Sequence, residues 1–228
     1  MKKLVLFDID GTIMNTDGGG ASSCQKALEQ VFGMKVPLDN YSMSGKTDTQ
    51  IVLDLMDRVG VARDVTTSKL DEINVLYIDL LSKEVDSWNP ELCPGIVEVL
   101  DALVDRDDLV LGLLTGNIVR GAEVKLNRVG LWSYFKTGAF GDRAPERKML
   151  PNIAQKTAHE LTGKVFEGKD MVIIGDTPND VLCGRHLNVK AIAVATGGFD
   201  GPTLQSYDPD FFFEDLSDTP KVVEAIMA

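Results

Sequence analysis

Leu4-Val5-Leu6-Phe7 is an unbroken apolar run, with lysines before it and Asp8-Ile9-Asp10-Gly11-Thr12 after it. Four consecutive hydrophobes fit a strand buried on both faces of a parallel sheet better than a half-exposed strand, whose residues would alternate. Beyond it the period changes. Cys24, Ala27, Leu28, Val31 and Phe32 share one helical face, as do Ile51, Val52, Leu55, Met56 and Val59, and then Ile73, Leu76, Tyr77, Leu80 and Leu81. Three helices are expected here without an intervening strand. Glycine-rich Asn15-Thr16-Asp17-Gly18-Gly19-Gly20 and the stretch Asn89-Pro90-Glu91-Leu92-Cys93-Pro94-Gly95 flank them as hinges.

From Pro94 onward, helices and short apolar strands alternate, the pattern of a parallel sheet with crossover helices. Ile96, Val97, Leu100, Leu103 and Val104 predict a helix face, and Val110 to Leu114 a strand. Ala122, Val124, Leu126, Val129 and Leu131 predict a less regular helix. Leu150, Ile153, Ala154, Thr157, Ala158 and Leu161 predict a further buried helix face. Met171 to Ile174, Ala191 to Val194 and Phe211 to Phe213 read as strands, followed by a last helix near Pro220 to Ile226. The expected fold is an α/β, Rossmann-like parallel sheet made by residues 1–14 and 93–228, with an α-helical cap of residues 15–92 inserted after the first strand.

Four of these strands end in Asp8 and Asp10, in Thr115 and Asn117, in Asp176, and in Thr196, so a parallel sheet gathers them along the edge where such folds bind ligands. Asp8 and Asp10, one residue apart, suit a nucleophile that attacks phosphorus and a general acid/base that serves the leaving oxygen and then water. The same pair could instead hold a metal or stabilise a turn without turnover. Thr115 with the amides of Gly116 and Asn117 could hold phosphate oxygens, or simply cap a helix. In Gly175-Asp176-Thr177-Pro178-Asn179-Asp180, two carboxylates four apart at a strand-to-helix junction suit Mg²⁺, and Pro178 suits a first helical turn.

Composition narrows the partners. With 35 acidic and 23 basic residues the formal charge is −12, which repels nucleic acid and anionic membrane surfaces. An acidic chain that handles an anionic substrate needs a metal or a few placed cations. Arg147 and Lys148 compete for that place. Arg147 is in phase with the buried face of the helix that follows, and Lys148 with its wet side, so Arg147 is the candidate. Cys24, Cys93 and Cys183 are few and scattered, and with His159 and His186 give no zinc or disulfide pattern; the two histidines read as surface or structural. The first apolar run stops at Asp8, short of a signal-peptide core, and nothing approaches the ~20 apolar residues of a membrane span. A cytoplasmic location is expected.

Asp8-Ile9-Asp10-Gly11-Thr12, Thr115-Gly116-Asn117, Arg147 and Gly175-Asp176-Thr177-Pro178-Asn179-Asp180, in this order and spacing, resemble the four motifs of the haloacid dehalogenase superfamily of phosphohydrolases. Pro94-Gly95 and Thr196-Gly197-Gly198-Phe199 extend the likeness, which is strongest to phosphoglycolate-phosphatase-like members with a helical cap. The resemblance implies a Mg²⁺-dependent phosphatase acting on a small phosphomonoester, phosphoglycolate-like or a sugar phosphate. It further implies that Asp8, the backbone carbonyl of Asp10, and Asp176 bind the metal with Asp180 in support, while Thr115 and the third-motif cation hold the phosphoryl group. Asp10 distinguishes the chain from dehalogenase and phosphonatase patterns, which lack an aspartate two places after the nucleophile. Arg147 stands where a lysine is usual. Ser42-Met43-Ser44-Gly45-Lys46-Thr47-Asp48 resembles a substrate-facing cap loop, with Lys46 able to meet an anion, though it could equally cap the helix starting near Asp48. A phosphosugar mutase of β-phosphoglucomutase type shares these motifs, and a phosphate- or metal-binding regulatory module without turnover is the reading from another class. Whether the chain is a monomer or a homodimer is open.

Overall fold

A computed structural model describes residues 2–16, 18–142 and 144–228; Asp17 of the first glycine-rich stretch lies outside the described residues. In chain order the elements are β1 (Lys3–Phe7), β2 (Met14–Asn15), α1 (Gly19–Phe32), α2 (Asp48–Arg58), α3 (Arg63–Ser68), α4 (Leu70–Glu84), β3 (Glu91–Leu92), α5 (Ile96–Val104), β4 (Leu109–Leu114), α6 (Val119–Arg128) and β5 (Thr137–Ala139). They continue with α7 (Leu150–Thr162), β6 (Met171–Gly175), α8 (Pro178–Cys183), β7 (Lys190–Val194), α9 (Gly201–Gln205), β8 (Phe211–Phe213) and α10 (Thr219–Met227).

Six strands form one sheet in the order β5-β4-β1-β6-β7-β8, and every neighbouring pair is parallel. β1 is central, with Val5 in register with Leu111 on one side and Val172 on the other. Its residues are buried throughout, as an unbroken apolar run requires. Successive side chains point to opposite faces. Val5 and Phe7 therefore join Leu111, Ile174, Leu100 and Ile226 under α5 and α10, while Leu4 and Leu6 join Ile173, Ala154 and Phe166 under α7.

Between β2 and β3 the chain builds α1 to α4, whose own core centres on Leu28, Leu55, Met56, Ile73 and Leu81. The chain leaves for this helical unit and returns from it side by side: Met14 pairs with Leu92 and Asn15 with Glu91 in an antiparallel ribbon. That ribbon and the short α3 are not signalled by the apolar pattern, nor is edge strand β5. The glycine-rich stretch is not all linker either. Gly18 is left-handed, with φ of 79°, and α1 begins at the next residue.

Two apolar positions differ from expectation. In α5 the buried set is Ile96, Val99, Leu100 and Leu103, while Val104 is 37% exposed. In α7 Leu161 is 54% exposed. Both lie in the last turn of their helices. The difference is measurable by urea unfolding. Leu100→Ala is expected to lose about 2–5 kcal/mol, and Val104→Ala under about 1 kcal/mol.

Candidate active site

The site is built where the strands stop. Asp8 continues β1 by one residue, its N–H donating to Ile174 O at 3.0 Å. The chain then turns sharply at Gly11, whose φ of 89° lies in the left-handed region. A Cβ at Gly11 would run into the carboxylate of Asp176, as would one at Gly197 beyond β7, so bare backbone packs around that carboxylate. Thr12 Oγ1 donates to Asp176 Oδ1 at 3.0 Å, and Thr196 Oγ1 donates to Gly11 O at 2.5 Å.

After β6, Thr177 and Asp180 form a capping box at the start of α8, with Thr177 N 3.0 Å and Thr177 Oγ1 2.6 Å from Asp180 Oδ2. This capping fixes Asp180 facing β1. Asp8, Asp176 and Asp180 each place a carboxylate oxygen within 4.8 Å of the others, all three buried. Arg147, in a single 3-10 turn ahead of α7, enters this group from the other side. Its Nη2 lies 3.1 Å from Asp8 Oδ1, pairs closely with Asp180 Oδ1 and reaches Leu114 O at 3.4 Å. Lys148 is 72% exposed and paired with Glu146. The helical phase therefore selected the buried cation of the two.

Three anions and one cation leave the cluster short of positive charge. Burial pushes the Asp8 carboxyl up, Arg147 partly opposes this, and Asp180 and Asp10 add to it, giving about 6. Burial with the charges of Asp180 and Asp8 pushes Asp176 up to about 8, against Thr12 and Arg147. Hard oxygen donors short of counter-charge fit a divalent cation such as Mg²⁺.

Asp10 is outside this cluster. Its carboxylate, 44% exposed, accepts from Lys125 Nζ at 2.8 Å on both oxygens and from Asn117 Nδ2 at 2.7 Å. Enclosure would raise its pKa, but the charge and hydrogen bonds of Lys125, with Asn117, outweigh that and hold it below the usual value. The Asn117 amide also reaches Thr115 Oγ1 at 2.9 Å, and Asn117 N–H donates to the same oxygen at 3.3 Å. The 115–117 loop thus orients Asp10 as well as standing at the helix entry expected for anion contacts. Gly116 lies under the loop before α2. Its Cβ would strike Lys46 O, and its own carbonyl accepts from Asp48 N at 2.7 Å.

The loop from Ser42 to Thr47 borders the site on the helical side. Asn179 Nδ2 donates to Gly45 O at 2.8 Å, and Thr47 Oγ1 donates to Pro145 O at 2.9 Å while also capping α2 through Gln50 N. Lys46 lines the enclosed space, but its ammonium is engaged by Asp54 at 3.1 Å and stands 4.0 Å from the centre of the Tyr41 ring. The resulting cavity, of about 600 Å³, touches Asp8, Asp10, Thr115, Arg147 and Asp176 on one side and Cys24, Ile51 and Tyr77 on the other. His159 and His186 are exposed, on Lys164 O and Asn152 respectively.

Two residues were not anticipated. Lys125 is buried on α6 and faces Asp10; it sits three residues after Ala122 and four before Val129, so helical phase could have flagged a lysine on an apolar face. Asp48 was expected to end the loop that resembles a substrate-facing cap loop, or to begin a helix. Its carboxylate instead accepts from Ile118 N at 2.8 Å, joining α2 to the entry of α6, and burial raises its pKa to about 6 despite Lys125 and that hydrogen bond.

A family model described as haloacid dehalogenase-like hydrolase matches residues 5–194. The chain is 26% identical over 230 residues to "Probable phosphatase IndB" of Dickeya dadantii, covering 100% of this chain and 96% of that protein. It is 25% identical over 235 residues to a phosphoglycolate phosphatase of Agrobacterium fabrum, covering 100% and 95%. Among solved structures, a beta-phosphoglucomutase from Clostridium difficile superposes with a TM-score of 0.71 at 18% identity, over 100% of this chain and 98% of that one.

The charge imbalance has a sign that unfolding can test. Asp8 and Asp176 have folded pKa values of about 6 and about 8 against 3.8 for a free carboxyl, so the folded state binds more protons between these limits. Their stabilisation is complete below the unfolded value and is lost as pH rises through the folded ones. Asp10 acts oppositely, but its contribution is already in place by about pH 5. In the presence of a chelator, folding stability from urea titrations is expected to fall on the order of 3 kcal/mol between about pH 5 and pH 8. Asp176→Asn should flatten that slope.

Proposed function

Because the chain belongs to the haloacid dehalogenase-like hydrolases, we propose that it hydrolyses a small phosphomonoester through an aspartyl-phosphate on Asp8, with Mg²⁺ as cofactor. The observation that supports this reading most is the burial of Asp8, Asp176 and Asp180 around Arg147, with a further carboxylate, Asp10, held apart from them by Lys125 on the wall of the same cavity.

In the first step an Asp8 oxygen bonds to phosphorus as the bond to the leaving oxygen breaks, and Asp10 provides that oxygen with a proton. Water then attacks phosphorus, Asp10 takes its proton, and the bond between phosphorus and Asp8 breaks to release phosphate. Arg147, fixed against Asp8, favours the ionised nucleophile and presents its guanidinium to phosphoryl oxygens together with Thr115, Gly116 and Asn117. Its Nε–H has no partner among the described residues, which leaves a buried donor free for an anion. Asp8, the carbonyl of Asp10 and Asp176 would hold Mg²⁺, with Asp180 steadying the set. Bound there, the ion would supply positive charge against the phosphoryl oxygens. Residues 1–14 and 93–228 act as the catalytic core, and residues 15–92 as the cap that excludes bulk water. The likeness to a relative named a phosphoglycolate phosphatase supports phosphoglycolate, beside sugar phosphates, as a candidate substrate.

Phosphate release from such a panel is the test. Asp8→Asn is expected to lower turnover by roughly 10³-fold or more with folding retained. A chelator should abolish turnover of the unaltered protein, and Mg²⁺ should restore it. A variant with full activity refutes the nucleophile, and isomerised hexose phosphate in place of free phosphate would identify a mutase.

A further inference from the structure

Among the described residues Lys125 is the one buried lysine that lines the cavity beside Asp10, and neither the motifs nor the reaction steps above use it. Its side chain is 5% exposed, while the carboxylate it holds is 44% exposed. The ammonium is therefore covered, while the Asp10 side chain keeps accessible surface. Both Asp10 oxygens lie 2.8 Å from Nζ, and Asn117 Nδ2 fixes one of them from the side. A carboxylate held at two edges has little rotational freedom about its last bond.

The lysine is itself held by the helical unit. A Cβ on Gly20 of α1 would lie 3.3 Å from Lys125 Nζ and 3.6 Å from the Tyr77 hydroxyl of α4. Asp48 of α2 adds a favourable charge interaction. Two helices of the inserted unit, α1 at Gly20 and α2 at Asp48, thus come close to a core lysine. Burying an ammonium requires a partner, and its partner here is the proposed acid/base.

We propose that Lys125 is a positioning residue that locks the Asp10 carboxylate in the orientation needed to take a proton from water, and that α1 at Gly20 sets the lock when the helical unit lies against the core. The proposal rests on Asp10 acting as the acid/base of a two-step phosphatase. It predicts that loss of Lys125 slows the second step, hydrolysis of phospho-Asp8, more than its formation. Misplacing a catalytic group by about an ångström can lower a rate on the order of 10²-fold.

The experiment uses the Mg²⁺-loaded full chain and p-nitrophenyl phosphate, whose leaving group departs without protonation. Rapid mixing of Lys125→Met is expected to give a burst of about one nitrophenolate per site, followed by a steady state about 10–100-fold slower than wild type with a lowered KM. Lys125→Arg, which keeps a cation at this point, should recover much of the steady-state rate. Gly20→Ala should slow the same step in a protein that keeps its catalytic side chains, and with Lys125→Arg it carries the test if Lys125→Met fails to fold. A burst in Asp10→Asn but none in Lys125→Met, or a raised KM at unchanged kcat in Lys125→Met, overturns the positioning role alone. No burst in Asp10→Asn, or full turnover by Asp8→Asn, overturns the underlying reaction and the proposal with it.

Discussion

The buried pairing of Arg147 with Asp8 and Asp180 is the constraint on which the rest of the site depends. Charges removed from water are tolerated only when they are paired and hydrogen-bonded, and here two of the three carboxylates share one guanidinium. That arrangement dictates much of the surrounding backbone. α8 must start where it does so that Thr177 can cap against Asp180, and the turns at Gly11 and Gly197 must lack side chains so that Asp176 can enter. The sheet supplies the rigidity, since β1, β4 and β6 are adjacent and parallel and their ends arrive together.

Much of this was legible in the chain. An apolar run that stops at an aspartate reports both a strand and its chemical end, so Asp8 and Asp176 could be located without knowing the fold. Arg147 followed from helical phase, because a cation in register with Leu150 and Ala154 faces inward. Other features were illegible for physical reasons. β5, Thr137–Ala139, is a three-residue edge strand paired only with β4, too short to show a period. Leu161 and Val104 keep the period but lie at helix ends, where periodicity says nothing about what covers them. Lys125 and Asp10 are 115 positions apart, and no local pattern links them. The lysine breaks an apolar face, a local conflict whose resolution lies elsewhere in the fold.

The helical unit meets core loops largely through hydrogen bonds to backbone carbonyls. Asp48 N to Gly116 O, Thr47 Oγ1 to Pro145 O, Thr49 Oγ1 to Gly141 O and Asn179 to Gly45 O all join the loop before α2 and the start of α2 to core loops. Gly116 and Gly141 are glycines because carbonyls occupy the space a Cβ would need. Such contacts fix how closely the two parts approach without specifying a ligand. Specificity must therefore come from the few side chains left facing the cavity, among them Cys24, Ile51 and Tyr77.

Asp8 and Asp10 show how one residue type takes two characters a single residue apart. Asp8 points into the sheet edge, where neighbouring carboxylates and dry surroundings raise its pKa. Asp10 meets Lys125 and Asn117 instead, and they lower its pKa. Positions two apart on an extended strand face the same side, so the separation comes from the bend at Ile9, where the chain leaves β1. Ile9 between them is fully buried, which anchors the segment so that neither carboxylate can exchange places with the other. Under the proposed chemistry the division has a purpose: the carboxylate that bonds to phosphorus must be relieved of crowding by added positive charge, while the one that handles protons must stay ionised between steps. Opposite environments, fixed by a single buried isoleucine, allow both from a stretch of three residues.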